Sequence, residues 1–262
     1  MSGDGNDLTR ERRNTMSGPA LVSGQMRYIL VVDTDWNERF TLSMLLQRFG
    51  YTIANTNSAC EGVEFLCVAP AVAVFAEAGE AGEDLAARLK ADARFRDVPL
   101  VMVADGPDRG LEERLRQGAL AGLLRTPLNP EEVFKVIQKV IEKGPRENIR
   151  IPTALQATLR DEYGATQGFV TVLSQYGVFF RTLDPRPVKA RAGVSISFGD
   201  RAVDLEAEVL YIVSFEEGPF CEPGMGMKFV NITPEDSALI RFFIYEQLGA
   251  GIMPSGLTVG QA

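Results

Sequence analysis

Lys143-Gly144-Pro145-Arg146-Glu147-Asn148-Ile149-Arg150 separates two halves of this chain that have different hydrophobic periods. Upstream, short apolar runs alternate with segments of helical spacing. Downstream, alternating runs follow one another until a last helix. Within the stretch, Arg146 and Arg150 stand four residues apart in an acidic chain. Each guanidinium is a planar fork of donors that suits phosphate oxygens bidentately, or the O6/N7 edge of guanine. Alone, R-x-x-x-R is a weak signal, and a solvated pair of linker arginines is the plain alternative. Its position adds weight, as does a downstream turn, Leu173-Ser174-Gln175-Tyr176-Gly177.

Upstream, Tyr28–Val32 is an apolar run long enough for a buried strand. Asn37 to Phe49 follows with helical spacing through Phe40, Met44 and Leu45, and Gly50 stops it. The alternation repeats: strands at Thr52–Ala54, Val72–Phe75, Leu100–Val103 and Leu123–Leu124, helices at Ala59–Cys67, Glu83–Ala91, Arg109–Gln117 and Glu131–Ile141. Five apolar strands separated by amphipathic helices predict a doubly wound parallel sheet covered on both faces.

Composition narrows the function. The 262 residues are 45% hydrophobic and 24% charged, which suits a globular protein of about two domains. A net charge of −8 argues against general affinity for DNA or anionic membrane. No apolar run approaches ~18 residues, so no transmembrane helix is expected. The polar N-terminus lacks the apolar core of a signal peptide, and residues 1–25 read as a disordered tail. The chain has no histidine, which removes the usual general base and the usual nitrogen ligand for metals. Cys60, Cys67 and Cys221 lack C-x-x-C spacing and read as buried or half-buried free thiols in a reducing cytoplasm.

The upstream half, roughly Arg27 to Glu142, resembles the receiver domain of bacterial response regulators. The matching pieces are YILVVDTD, the helix after it, RFRDVPLVMVAD, RQGALAGLLRTPL and the closing helix. The resemblance implies phosphoryl transfer to an aspartate at the end of the third strand, yet the working positions are replaced. The acceptor falls on Ala76, one position of the acidic doublet on Thr34, the hydroxyl on Ala104, and the lysine on Thr126 beside Arg125. Glu77 is adjacent to the acceptor position but is expected to point to the other side of the strand. Asp33 and Asp35 are left as a weak Mg²⁺ site or a leftover acidic loop. The helix carrying Val133, Phe134, Val136, Ile137, Val140 and Ile141 is apolar over a broad arc, which core burial and a protein partner would share.

Downstream, strands are expected at Thr153–Arg160, Gly168–Leu173, Val178–Thr182, Val194–Phe198, Leu205–Ser214 and Gly226–Val230. Pro234, Glu235 and Asp236 then open a helix with Leu239, Ile240, Phe243, Ile244 and Leu248 on one face. Six short strands and a closing helix predict a small antiparallel barrel over 153–248, after a linker at 143–152 and before a flexible tail at 249–262. This half resembles a PilZ domain, the cyclic di-GMP receptor module. The resemblance runs from Arg146 to about Gln247. It rests on Arg146-x-x-x-Arg150, the Ser174-x-x-Gly177 turn, the GMGMKFV strand and the helix after ITPED. It implies that the arginines contact phosphates and guanine, and that Ser174 and Gly177 belong to the turn beside the ligand. The family's turn is [Asp/Asn]-x-Ser-x-x-Gly, and here Val172 holds the acid or amide position. Val172 and Ser174 share a strand face, so the guanine edge would meet a side chain with no acceptor. Losing one charge-assisted contact costs about 1.5–3 kcal/mol, a weakening of roughly 10- to 150-fold. For Ser174 and Gly177 the plain alternative is a hairpin turn in which glycine supplies a positive φ.

Two functions remain open from the sequence. One is a cyclic di-GMP effector with a receiver half that cannot be phosphorylated, whose arginine segment closes on ligand and changes the angle between the domains. The other is an adaptor that binds no nucleotide and works through protein contacts, including one through the receiver-like half. An enzyme has no support, since there is no Gly-rich phosphate loop, no base and no metal cluster in the sequence.

Overall fold

The computed structural model describes residues 28–214 and 222–252. The segment 1–25, most of 249–262 and Cys221 lie outside the described residues. The chain divides into two compact units. The first runs to Thr126 and takes in Lys135–Pro145; the second holds Pro127–Phe134 and the chain from Arg146 onward.

In the first unit, β1 (Tyr28–Val32) is buried along its whole length, as befits a parallel strand covered on both faces. Asp35 then opens α1 (Trp36–Arg48) by accepting from the N–H groups of Asn37 at 2.7 Å and Glu38 at 3.0 Å. The alternation continues through β2 (Thr52–Thr56), α2 (Ala59–Val68), β3 (Ala71–Glu77), α3 (Glu80–Ala91), β4 (Leu100–Ala104), α4 (Arg109–Arg116) and β5 (Gly122–Arg125); α5 (Pro130–Val140) follows and is divided between the units after Phe134. All pairings are parallel, in the order β2-β1-β3-β4-β5. That is the doubly wound, receiver-like order, and it brings the carboxyl ends of β1 and β3 together at the point where strand order reverses. Helix α2 corrects one expectation. It buries Ala59, Gly62 and Leu66, so Cys60 and Cys67, a full two turns apart, share the opposite face and are exposed.

The second unit is a closed barrel of β6 (Arg150–Asp161), β7 (Gly164–Ser174), β8 (Gly177–Arg181), β9 (Arg191–Phe198), β10 (Arg201–Val213) and β11 (Gly224–Val230). Every pairing is antiparallel, in the order β10-β11-β8-β7-β6-β9, and β9 also pairs with β10 to close the ring. Leu159, Val170, Phe180, Val194, Ile196 and Met225 fill the interior. All six strands start earlier than apolar alternation suggests, four of them by three or four residues, and Ile151, Ala192 and Val203 are buried within the added ends. The consequence for function is that Arg150 is the first residue of β6 and not a linker residue.

Helix α6 (Pro234–Gly249) is capped by Thr233, whose side chain accepts from the Asp236 N–H at 3.1 Å. Its buried stripe is Ile240, Ile244 and Leu248, with Leu239 and Phe243 half-buried beside it. Phe243 meets Phe198 of β9 edge-on at 5.0 Å between ring centroids. Arg186, between β8 and β9, is buried and ties two loops together. Its Nε lies 2.5 Å from Asp161 Oδ2, and its Nη1 lies 2.7 Å from Asp184 Oδ2. Breaking a buried pair of this kind by removing one partner costs about 3–5 kcal/mol, so this ion pair fixes the loop path between β8 and β9.

Candidate functional site

Strand pairing assembles the predicted residues of the second unit. Arg150 opens β6 directly opposite Ser174 at the end of β7, and Ser174 in turn stands opposite Gly177 at the start of β8. The Ser174 hydroxyl donates to the Gly177 carbonyl at 3.0 Å and so closes the turn from inside. Gly177 is needed for a different reason from the one expected. It is not among the positive-φ residues. A Cβ on it would fall 2.3 Å from the Met227 carbonyl oxygen, so glycine lets β8 approach β11.

Arg146 lies four residues before Arg150 and close enough to repel it. The Arg150 guanidinium is held below the usual arginine range, chiefly by burial and then by the positive charge of Arg146. A third group shares this field. Burial pushes the Tyr211 hydroxyl up, and the charges of Arg150 and Arg146 pull it partly back. Arg146, Arg150 and Tyr211 therefore converge at one place on the barrel.

The outer face beside the arginines is apolar. Val172 pairs with Pro152 on one side and Phe179 on the other, Phe179 pairs with Gly226, and Gly226 with Tyr211. Val172 and Ser174 do share a face, flanking the buried Leu173, and both are half-buried. Tyr176, at the turn, is exposed. No carboxylate or amide replaces Val172 at its own position.

Tyr211 was not found from sequence. Strict alternation after Leu205, Ala207 and Val209 would point it inward. A register shift between Val209 and Tyr211 absorbs Leu210 as a bulge, so Tyr211 faces outward while Ile212 pairs with the interior Met225. The only sequence signal is an aromatic residue in an otherwise aliphatic run.

The receiver-like unit holds an acidic cluster where its sheet order reverses. Asp33 is buried at the end of β1 and accepts from the Asp35 N–H at 2.8 Å. Its carboxyl is pushed up to about 7, chiefly by burial and further by Glu77, Glu38 and Asp35, against the lowering effect of the Asp35 N–H. Glu77 does not turn away as expected. It ends β3 at the sheet's carboxyl edge, and its Oε2 accepts from the Thr34 hydroxyl at 2.7 Å. The other replaced positions gather there too: Ala76 is buried, and Thr126 donates its N–H to the Ala104 carbonyl at 3.0 Å. Asp35, one of the two candidate Mg²⁺ ligands, is engaged as the α1 cap. Among the described residues no group of three or more acidic or cysteine side chains is arranged to hold a metal ion.

Residues 145–246 match the PilZ domain family. That stretch, the barrel with most of its closing helix, is a PilZ domain. Solved structures similar to parts of the chain include the chemotaxis protein CheY4 of Vibrio cholerae, at 19% identity over 44% of this chain and 98% of that one, with a TM-score of 0.40. The inhibitor of motility MotI/DgrA of Bacillus subtilis is 18% identical over 40% of this chain and 53% of its own, with a TM-score of 0.35. YcgR of Escherichia coli, solved in complex with c-di-GMP, is 15% identical over 40% of this chain and 46% of its own, with a TM-score of 0.35. The matches to MotI/DgrA and YcgR thus span about half the length of those proteins. No curated protein matches the chain. No described helix is long and apolar enough to cross a membrane. Within the PilZ domain Arg150 faces Ser174 and Ser174 faces Gly177, and Val172 stands two residues before Ser174.

The buried Asp33 generates a test of the acidic cluster. Its folded pKa lies above its unfolded value near 3.9, so the folded state holds a proton the unfolded chain releases. Stability should therefore fall as pH rises from about 4 to about 7, by at most about 1.4 kcal/mol per pH unit, and level off above. Asp33→Asn should flatten this dependence and stabilise the unit at pH 8. Urea unfolding at pH 5 and pH 8 checks it; an unchanged slope in the variant would place the titrating group elsewhere.

Proposed function

We propose that this chain is a cytoplasmic bacterial signalling protein, a cyclic di-GMP effector or adaptor without enzymatic activity. The observation that supports this best is the pairing of Arg150 with Ser174, which in turn faces Gly177, at one end of a PilZ barrel, with the charge of Arg146 acting on Arg150. Two guanidiniums in mutual repulsion favour an anion between them, and their planar forks match phosphate oxygens or a guanine edge. Binding is weak, because Val172 offers the guanine N–H groups no acceptor. Neither DNA nor membrane is a partner of this acidic chain.

Isothermal titration of the full chain with cyclic di-GMP tests this. Arg150→Ala should weaken binding at least ~10-fold, from one bidentate charged contact worth about 1.5–3 kcal/mol, and Arg146→Ala with Arg150→Ala should abolish it. Rising salt should weaken the wild type. Equal binding by the wild type and the double variant would move the site away from these residues.

Val172→Asp should improve affinity about tenfold, by restoring a charge-assisted acceptor. Its competing outcome is also physical. Val172 is half-buried against Phe179, and a desolvated aspartate there would cost several kcal/mol, read as a lower melting temperature. Unchanged stability with no gain in affinity would show that the ligand does not sit over this position.

A second reading, a protein adaptor that binds no nucleotide, is favoured by the apolar row at Val172 and the exposed Tyr176 beside it. Absence of heat at high ligand concentration would select it.

In both readings the receiver-like unit is a docking module for a protein partner and is not phosphorylated. Ala76 offers no carboxylate, and Ala104 and Thr126 replace the hydroxyl and the lysine. Incubation with acetyl phosphate and Mg²⁺ should leave the protein's mass unchanged; a stoichiometric phosphoryl adduct on Asp33, Asp35 or Glu77 would refute this.

A further inference from the structure

The arginine site contains an aromatic group that the reading above does not use. Tyr211 is carried to the outer face of β10 by the bulge at Leu210. Its partner across the sheet is Gly226. A Cβ built there would fall 2.2 Å from both Cε1 and Cζ of the tyrosine ring, so the ring lies down against the bare backbone of β11. Phe179 flanks it at 6.3 Å between centroids, tilted by 31°. With Gly226 under it and Phe179 beside it, the ring is half-buried and keeps part of its surface accessible. Arg150 and Arg146 are near enough to act on its hydroxyl.

We propose that Tyr211 is the stacking platform for a purine base of the nucleotide held by Arg146 and Arg150. This rests on the cyclic di-GMP reading and adds how the base is held where Val172 cannot hold its edge. A base loses little by facing an apolar row if its π face is covered. Stacking needs no hydrogen-bond partner, since every base has such a face. Half-buried Tyr211 and Val172 lie in one cross-strand row on either side of the buried Phe179, and the arginines stand at its margin to take the charge. Glycine at 226 has the same logic: any side chain there would lift the ring off the sheet.

The test is titration of the full chain with cyclic di-GMP. Tyr211→Leu keeps apolar cover over Gly226 and Phe179 but removes the π face, and should weaken binding about 10-fold. Tyr211→Phe should stay within about 2-fold of the wild type, because stacking does not need the hydroxyl. The chain has one tryptophan, Trp36, in the other unit and exposed. Tyr211→Trp combined with Trp36→Phe therefore places the sole indole at the proposed platform, and its fluorescence should be quenched as ligand binds. Should Tyr211→Leu fail to fold, the phenylalanine and tryptophan variants decide. Full affinity in Tyr211→Leu, or ligand uptake without quenching of the relocated indole, overturns the platform while leaving the arginine site standing. No uptake by the wild type overturns both.

Discussion

Strand β9 pairs on both of its sides, with β6 and with β10, and the arginine site depends on that closure. A closed barrel has no free edge along which a strand can slide. The register that sets Arg150 opposite Ser174 is therefore locked by the whole ring. A slip of β6 by one residue would turn Arg150 inward and expose Ile151, which is buried here. Gly177 tightens the same constraint, since β8 reaches β11 only because no Cβ stands between Gly177 and the Met227 carbonyl. Geometry at the turn is thus a consequence of barrel packing and not of turn chemistry alone.

Each unit carries a cluster of like charges, and the two clusters have different escapes. In the receiver-like unit, Asp33 is buried among Glu77, Glu38 and Asp35, and it relieves the repulsion by holding a proton near neutral pH. Arg146 and Arg150 have no such route, because a guanidinium stays protonated. Their charge persists, so the same electrostatic principle leaves one cluster protonated and the other cationic.

Much of this was legible in the chain. Apolar runs of parallel-strand type, helical spacing and the change of period after Pro145 forecast both architectures, because burial on two faces and burial on one face leave different patterns. Arg146, Arg150, Ser174 and Gly177 were legible as a group through the resemblance to PilZ domains, and the barrel brings Arg150, Ser174 and Gly177 into direct register. The replaced receiver positions were legible too. Less so was Glu77, whose carboxylate bonds Thr34 at the sheet's carboxyl edge, where a strand ends and strict alternation no longer governs direction. The thiols of Cys60 and Cys67 were misplaced because α2 buries small residues, Ala59 and Gly62, in a stripe that apolar content alone does not mark.

The sequence by itself determined which segments are strands and helices, where the paired arginines stand, and which side chains occupy the strand ends of the receiver-like unit. These follow from side-chain chemistry and from periods of 3.6 and 2 that each element carries locally. Only the tertiary structure decided where parity breaks. One bulge between Val170 and Val172 and another between Val209 and Tyr211 each shift the alternation by a single residue. The second puts Tyr211 on the outer face beside the arginines, over a glycine that leaves it room. A bulge is set by how closing strands share twist and register with their neighbours, so no local pattern in β10 could announce it.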